Sequence, residues 1–108
     1  MGKGRLIKES DIQRNVKQYL QIHGWFVFKN HQSLGSYKGI ADLFAIKAGI
    51  SIWIEIKKPK GVLSPFQIAF EKEITKHGGN YMVARDINEL IVGMEKISKD
   101  LVEPRLEL

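Results

Sequence analysis

Asp42, Glu55 and Lys57 are the residues of this chain whose types and spacing suit hydrolytic chemistry. They lie in two adjacent apolar, β-branched runs, Ile40–Lys47 and Ile50–Lys58, joined by Ala48-Gly49. Such runs across a two-residue turn predict an antiparallel hairpin. With the turn centred between Ala48 and Gly49, Asp42 faces Glu55, Ile40 faces Lys57 and Phe44 faces Trp53. The opposite face then carries Ala41, Leu43 and Ala45 against Ile52, Ile54 and Ile56. A one-residue slip would put the isoleucines on the wrong side, so the apolar pattern supports this register. Facing side chains have Cβ atoms about 4.5–5.5 Å apart and diagonal neighbours about 7–8 Å, so Asp42, Glu55 and Lys57 form one cluster.

Two carboxylates held that close repel, and a fold that places them together needs a compensating cation or a raised pKa. Hard oxygen donors, with no cysteine and no suitable histidine pair, favour Mg²⁺ or Mn²⁺ over zinc. Such an ion polarises a phosphoryl oxygen and acidifies water, while a lysine beside it stabilises developing negative charge. Those are the requirements of phosphodiester hydrolysis. Ile-Glu-Ile-Lys alone would be an ordinary strand with one solvated face. Here that face also carries Ile40, Phe44, Ile46 and Trp53, which is too apolar for a bare surface and predicts partial cover by a helix. His23, His31 and His77 share no metal-ligand spacing.

The elements that must position this cluster are short and continuous. Ser10 and Gln13 suggest a capping box, and Ile12, Val16, Tyr19 and Leu20 recur at helical spacing, so an amphipathic helix is predicted to end near Gly24. Trp25–Phe28 reads as a strand, followed by a donor-rich polar stretch from Lys29 to Lys38 with Gly35 inside it. After the hairpin, Ser64-Pro65-Phe66-Gln67 combines an N-cap, a proline at the first helical position and a capping-box partner, with Phe66, Ala69, Phe70 and Ile74 as the apolar stripe. That helix should end at Gly78-Gly79. Tyr81–Ala84 reads as a last strand, and Asp86 with Glu89 caps a third helix whose inward face carries Leu90, Ile91, Met94 and Ile97. The order is α-β-β-β-α-β-α, an α/β fold.

A length of 108 residues with 44% hydrophobic content suits one compact domain, residues 1–108 with a core from about 9 to 98 and loose ends. There is no internal repeat, low-complexity tract or linker. Seventeen Lys+Arg against 12 Asp+Glu give a net charge of +5, which favours a polyanionic partner, nucleic acid or an anionic membrane. No apolar stretch approaches the roughly 20 residues needed to span a bilayer, and no signal-peptide core follows Met1–Lys8, so the membrane reading recedes and a soluble protein is expected. The absence of cysteine suits the cytoplasm.

Gly39-Ile40-Ala41-Asp42, then Glu55-Ile56-Lys57 after a short hairpin, then Ser64-Pro65-x-Gln67 opening a helix, resemble the PD-(D/E)XK nuclease superfamily, and more narrowly its virus-type replication-repair nuclease (VRR-NUC) domain. The resemblance runs from Glu9-Ser10-Asp11-Ile12-Gln13 to Asp86-Ile87-Asn88-Glu89, and Gly78-Gly79 fits it too. It implies a central mixed four-stranded sheet flanked by helices. Residue by residue, it implies Asp42 and Glu55 as metal-binding acids, Lys57 as the catalytic lysine, and Gln67 as a glutamine beside the catalytic group. The Ile56 backbone carbonyl and Glu9 would complete the ligands of Mg²⁺ or Mn²⁺. Ala41 stands where many members have proline, whose role there is conformational restraint.

Glu9 and Gln67 also have structural readings. An acid at a helix N-terminus is favourable on dipole grounds, and Gln67 is the capping-box partner. Lys29, Asn30, His31 and Lys38 of the donor-rich stretch, with Lys58 and Lys60 after the hairpin, could be a solvated face. Beside a phosphodiester centre they would position a nucleic-acid backbone without reading sequence. The resemblance thus implies a metal-dependent endonuclease acting on Holliday junctions or other branched DNA, as a homodimer, with a phage-encoded origin in keeping. Two alternatives stand beside it. A sequence-specific nuclease of restriction type has little room here for a recognition domain. A non-catalytic nucleic-acid-binding module on the same fold has no need to retain aspartate, glutamate and lysine together.

Overall fold

The computed structural model describes residues 7–102; the expected loose ends fall mostly outside them. Seven elements follow one another in the predicted order: α1 (Glu9–Ile22), β1 (Phe26–Lys29), β2 (Leu43–Lys47), β3 (Ile50–Ile56), α2 (Pro65–Lys76), β4 (Asn80–Ala84) and α3 (Ile87–Val102). The sheet order is β1-β2-β3-β4. The first two pairings are antiparallel and β3–β4 is parallel, so α2 is the crossover that a parallel pair requires. Among the described residues no helix is long and apolar enough to cross a membrane.

The β2–β3 hairpin has the register read from its alternation, with Leu43 opposite Ile54 and Phe44 opposite Trp53. Ala48 and Gly49 both take positive φ, 52° and 82°, which matches the twist of a two-residue hairpin turn. Leu43, Ala45, Ile52, Ile54 and Ile56 are wholly buried on one face, packed with Ile12, Val16 and Leu20 of α1 and Leu90 of α3. Each large aliphatic side chain so buried contributes roughly 1.5–3 kcal/mol, so a slipped register is strongly disfavoured. On the other face Phe70 of α2 meets Trp53 edge-on at 5.3 Å, giving the helical cover expected there.

Strand β2 begins at Leu43, not Ile40. The Asp42 carboxylate takes the Ile56 N–H at 2.8 Å, and the Asp42 backbone carbonyl accepts from the Asn30 N–H at 2.8 Å. On the β3 side a side-chain bond therefore replaces the ladder beyond Leu43, and the expected pairing of Ile40 with Lys57 is not made.

The helix signals hold with three exceptions. Helix α1 starts a residue before Ser10, with Lys8 at its N-cap and no side-chain cap, because the Lys8 carbonyl already accepts from Asp11 and Ile12. The Ser10–Gln13 box is therefore not formed. Helix α2 does have its box: Ser64 Oγ accepts from the Gln67 N–H and Gln67 Oε1 accepts from the Ser64 N–H. Its inward row, however, is Gln67, Phe70, Glu71 and Ile74, while Phe66 and Ala69 face solvent. The first turn lies over the polar end of the sheet, and that rotates the apolar stripe off the predicted face. At α3 the Glu89 N–H donates to Asp86, but the Glu89 carboxylate turns back to the N–H and guanidinium of Arg85.

Gly39 joins the loop before β2 to the start of α2. Its φ is +82°, and a methyl there would collide with the Phe66 carbonyl and lie 2.9 Å from the Gln67 nitrogen. Gly35 also has positive φ, +96°, but open space around it. Both alanine variants carry the left-handed strain, so Gly39→Ala should lose about 1–3 kcal/mol more than Gly35→Ala, measured by urea denaturation. Equal losses would mean that the loop is not seated on α2.

Candidate active site

Glu55 is the organising residue of the site. It lies on β3 with its side chain on the α2 face and is 2% exposed. Its Oε2 accepts from Gln67 Nε2 at 2.9 Å and lies 3.3 Å from Lys57 Nζ, itself largely buried. Its Oε1 is buried with no hydrogen-bond partner among the described residues. Asp42 is fixed through both oxygens: Oδ2 accepts from the Ile56 N–H, and Oδ1 from Gln32 Nε2 at 3.1 Å. Gln67 is committed at both ends of its amide, oxygen to the Ser64 N–H and nitrogen to Glu55. Its capping role and its place in the site are one arrangement.

Burial, then the charge of Asp42, push the Glu55 carboxyl up to about 7, against a smaller opposing pull from Lys57. Tyr81 of β4 stands on the same face, since it pairs with Trp53. Its hydroxyl is buried with no hydrogen-bond partner among the described residues, and its acidity is suppressed first by burial and then by the charges of Glu55, Glu71 and Asp42.

The structure thus gathers Asp42, Glu55, Lys57 and Gln67, with the Ile56 backbone on Asp42. Glu9 does not join them. It is exposed one turn before Ile12, the first buried residue of α1, and no group of three or more His, Asp or Glu able to hold a metal forms among the described residues. Lys29, His31, Lys38, Lys58 and Lys60 are exposed. Asn30 is not available to nucleic acid, because it is buried and its side chain donates to the Ala41 carbonyl at 2.9 Å. It pins the strand entry instead. The loop bearing Lys58 and Lys60 is held by Arg85, whose guanidinium donates twice to the Gly61 carbonyl.

Sequence reasoning missed Gln32, Tyr81 and Arg85. Gln32 carries no local signal, since its bond to Asp42 depends on the path of the loop. Tyr81 could have been found only through the parallel pairing that brings it beside Trp53.

The two carboxylates and the orphaned buried acceptor of Glu55 fit a hard divalent cation, which takes oxygen ligands and would offset their mutual repulsion. Without one, burial has a measurable cost. Folded Glu55 keeps its proton to about pH 7, whereas the ordinary value is 4.5, so the folded state binds more protons across that window and stability falls as pH rises through it. Below the window there is no effect; above it the full cost, on the order of 3 kcal/mol, persists. In EDTA, Glu55→Gln should therefore gain on the unsubstituted protein as pH rises from about 5 to about 8, and melt higher at the upper end in calorimetry. A gap independent of pH would overturn this account of Glu55.

Residues 6–77, more than half of the chain, match the family model described as archaeal Holliday junction resolvase (Hjc), a stretch that includes Asp42, Glu55, Lys57 and Gln67. Among solved structures, one described as a VRR_NUC domain is 22% identical with a TM-score of 0.71, over 81% of this chain and 94% of its own. Another, a VRR_NUC domain protein, is 20% identical with a TM-score of 0.71, over 88% and 91%. No match is found among curated proteins. The structural likeness establishes the mixed sheet and its helices as the VRR-NUC, PD-(D/E)XK-type fold. The sequence match goes further and makes this chain a member of the archaeal Holliday junction resolvase family of nucleases.

Proposed function

We propose that the chain is a divalent-metal-dependent endonuclease that cuts Holliday junctions or similarly branched DNA, with Asp42, Glu55 and the Ile56 carbonyl holding Mg²⁺ or Mn²⁺. The observation that carries this is the unpartnered, buried Oε1 of Glu55 beside Asp42 and Lys57. A binding module would have no use for a carboxylate whose ionisation costs stability. In extended backbone a residue's N–H and C=O share one strand edge, and the Ile56 N–H is on Asp42, so its carbonyl belongs to the same edge. When bound, the cation polarises the phosphoryl oxygen and acidifies the attacking water.

The chain's own residues do the rest. Gln67 and Lys57 hold the Glu55 carboxylate in one rotamer, and Gln32 with the Ile56 N–H does the same for Asp42, so neither must reorganise when the phosphate arrives. The Lys57 ammonium, fixed by Glu55, stabilises negative charge that develops on the phosphoryl group. Lys29, His31, Lys38, Lys58 and Lys60 meet flanking phosphates.

Mg²⁺ should support nicking of supercoiled plasmid and EDTA abolish it. Glu55→Gln and Asp42→Asn should each lower the rate about 10²-fold or more. Asparagine at 42 must point an amide N–H at one of two donors, so Glu55→Gln is the cleaner probe. Lys57→Ala should lower kcat about 10²–10³-fold with little change in Kd, and Lys58→Ala or Lys60→Ala the reverse. Near-normal cleavage by Glu55→Gln would refute the site.

A symmetric junction needs two cuts related by a two-fold axis, which a homodimer supplies. Phe26 and Phe28 are exposed on β1, an edge strand, and Val92 is exposed on α3, so each of these surfaces has apolar residues for the contact. Light scattering should show a dimer, and matched substrates at near-physiological salt should show faster cutting of a four-way junction than of linear duplex. A monomer that nicks both alike would refute the junction reading.

A further inference from the structure

Between the loop before β2 and the start of α2 lies an open cleft of about 360 Å³. It borders the active site at two points. Gln32, on its loop wall, donates to Asp42, and Gln67, on its helix wall, donates to Glu55. The rest of its lining mixes serines and glycines with exposed apolar side chains. Tyr37 and Phe66 are largely exposed, Leu34 is fully exposed at the loop tip, and Lys38 is the single cation. Single exposed apolar residues are ordinary, but three around one polar-backed cleft form a patch with a use. The Tyr37 ring is anchored inward on Phe70 at 5.7 Å, and the Phe66 backbone is anchored by the close seat of Gly39. Both rings are thus presented by fixed supports.

We infer that this cleft takes an unpaired nucleobase of the DNA, stacked on Phe66 and Tyr37, one nucleotide from the scissile phosphate. The inference rests on the nuclease reading for its choice of substrate. Its volume is near the lower end for small-ligand sites, right for one nucleotide and too small for a duplex. A base inside a duplex has both faces covered by its neighbours, whereas a base at a branch or in a single strand offers a free face to an aromatic ring. Lys38 Nζ lies 5.0 Å over the Phe66 ring and covers one face of it, so a base stacks on the other face or displaces the ammonium. The same ammonium serves the phosphate beside a stacked base. Leu34 stands at the mouth as an apolar wedge against the adjoining base step. The selectivity of the enzyme for branched DNA then comes from within one protomer, in addition to any dimer geometry.

The test is equilibrium binding by fluorescence anisotropy, in EDTA at near-physiological salt, with the full chain. The probes are a branched DNA with one unpaired nucleotide at the branch, the same DNA with that nucleotide abasic, and a linear duplex. The unsubstituted protein should bind the base-bearing branch about tenfold more tightly than the abasic one, a modest value for one aromatic–base stack. Phe66→Ala should remove that discrimination without adding a further loss on the abasic DNA, and Phe66→Trp should retain it. Since Phe66 is 57% exposed, thermal melting should show the variant folded. No base-versus-abasic difference in the unsubstituted protein, or an undiminished one in Phe66→Ala, overturns the inference. Plasmid nicking with Mg²⁺ is read in parallel. Absent nicking with intact base discrimination refutes the nuclease reading and not the cleft, and the converse result refutes the cleft alone.

Discussion

The buried carboxylate of Glu55 constrains everything around it. A charge taken out of water must be paired, hydrogen-bonded or neutralised, and here it is met by one amide, one ammonium and a second carboxylate that opposes it. Each neighbour is delivered by a different piece of folding. Lys57 directly follows β3, and its N–H is held by the Ala84 carbonyl of β4. Gln67 comes from α2, whose first turn is set by Ser64 and by the Gly39 contact. Asp42 immediately precedes β2, whose register depends on aliphatic burial on the far face. The apolar core on one side of the sheet thus fixes the distance between two acids on the other.

That dependence explains what could be read from the sequence. The hairpin was legible because Ile52, Ile54 and Ile56 tolerate only one register, and Asp42 and Glu55 follow from it without further information. Gln67 was legible twice over, as a cap and as a neighbour of the site, and both roles are filled by one side chain. What could not be read depends on contacts between distant segments. Asn30 looks like any polar loop residue until its partner at Ala41 is known. Phe66 belongs to the apolar stripe by spacing, yet it faces solvent because Gln67 must face Glu55. Ser10 has the right chemistry for a cap but lies inside a turn already opened by Lys8.

The loop between β1 and β2 couples placement of the acids to the shape of the surface. Asn30 holds Ala41 and, through its N–H, the Asp42 carbonyl; Gln32 holds both the Ile40 carbonyl and the Asp42 carboxylate. The same loop, a few residues on, forms one wall of the cleft and presents Tyr37 and Lys38. The opposite wall repeats this arrangement, with Gln67 on Glu55 next to the exposed ring of Phe66. Each acid is therefore tied by a glutamine to one wall of the surface that substrate would touch. Burial first, and then the charge of Asp42, keeps Glu55 protonated near neutrality, so the two glutamine bonds hold in place a pair of acids that would otherwise separate.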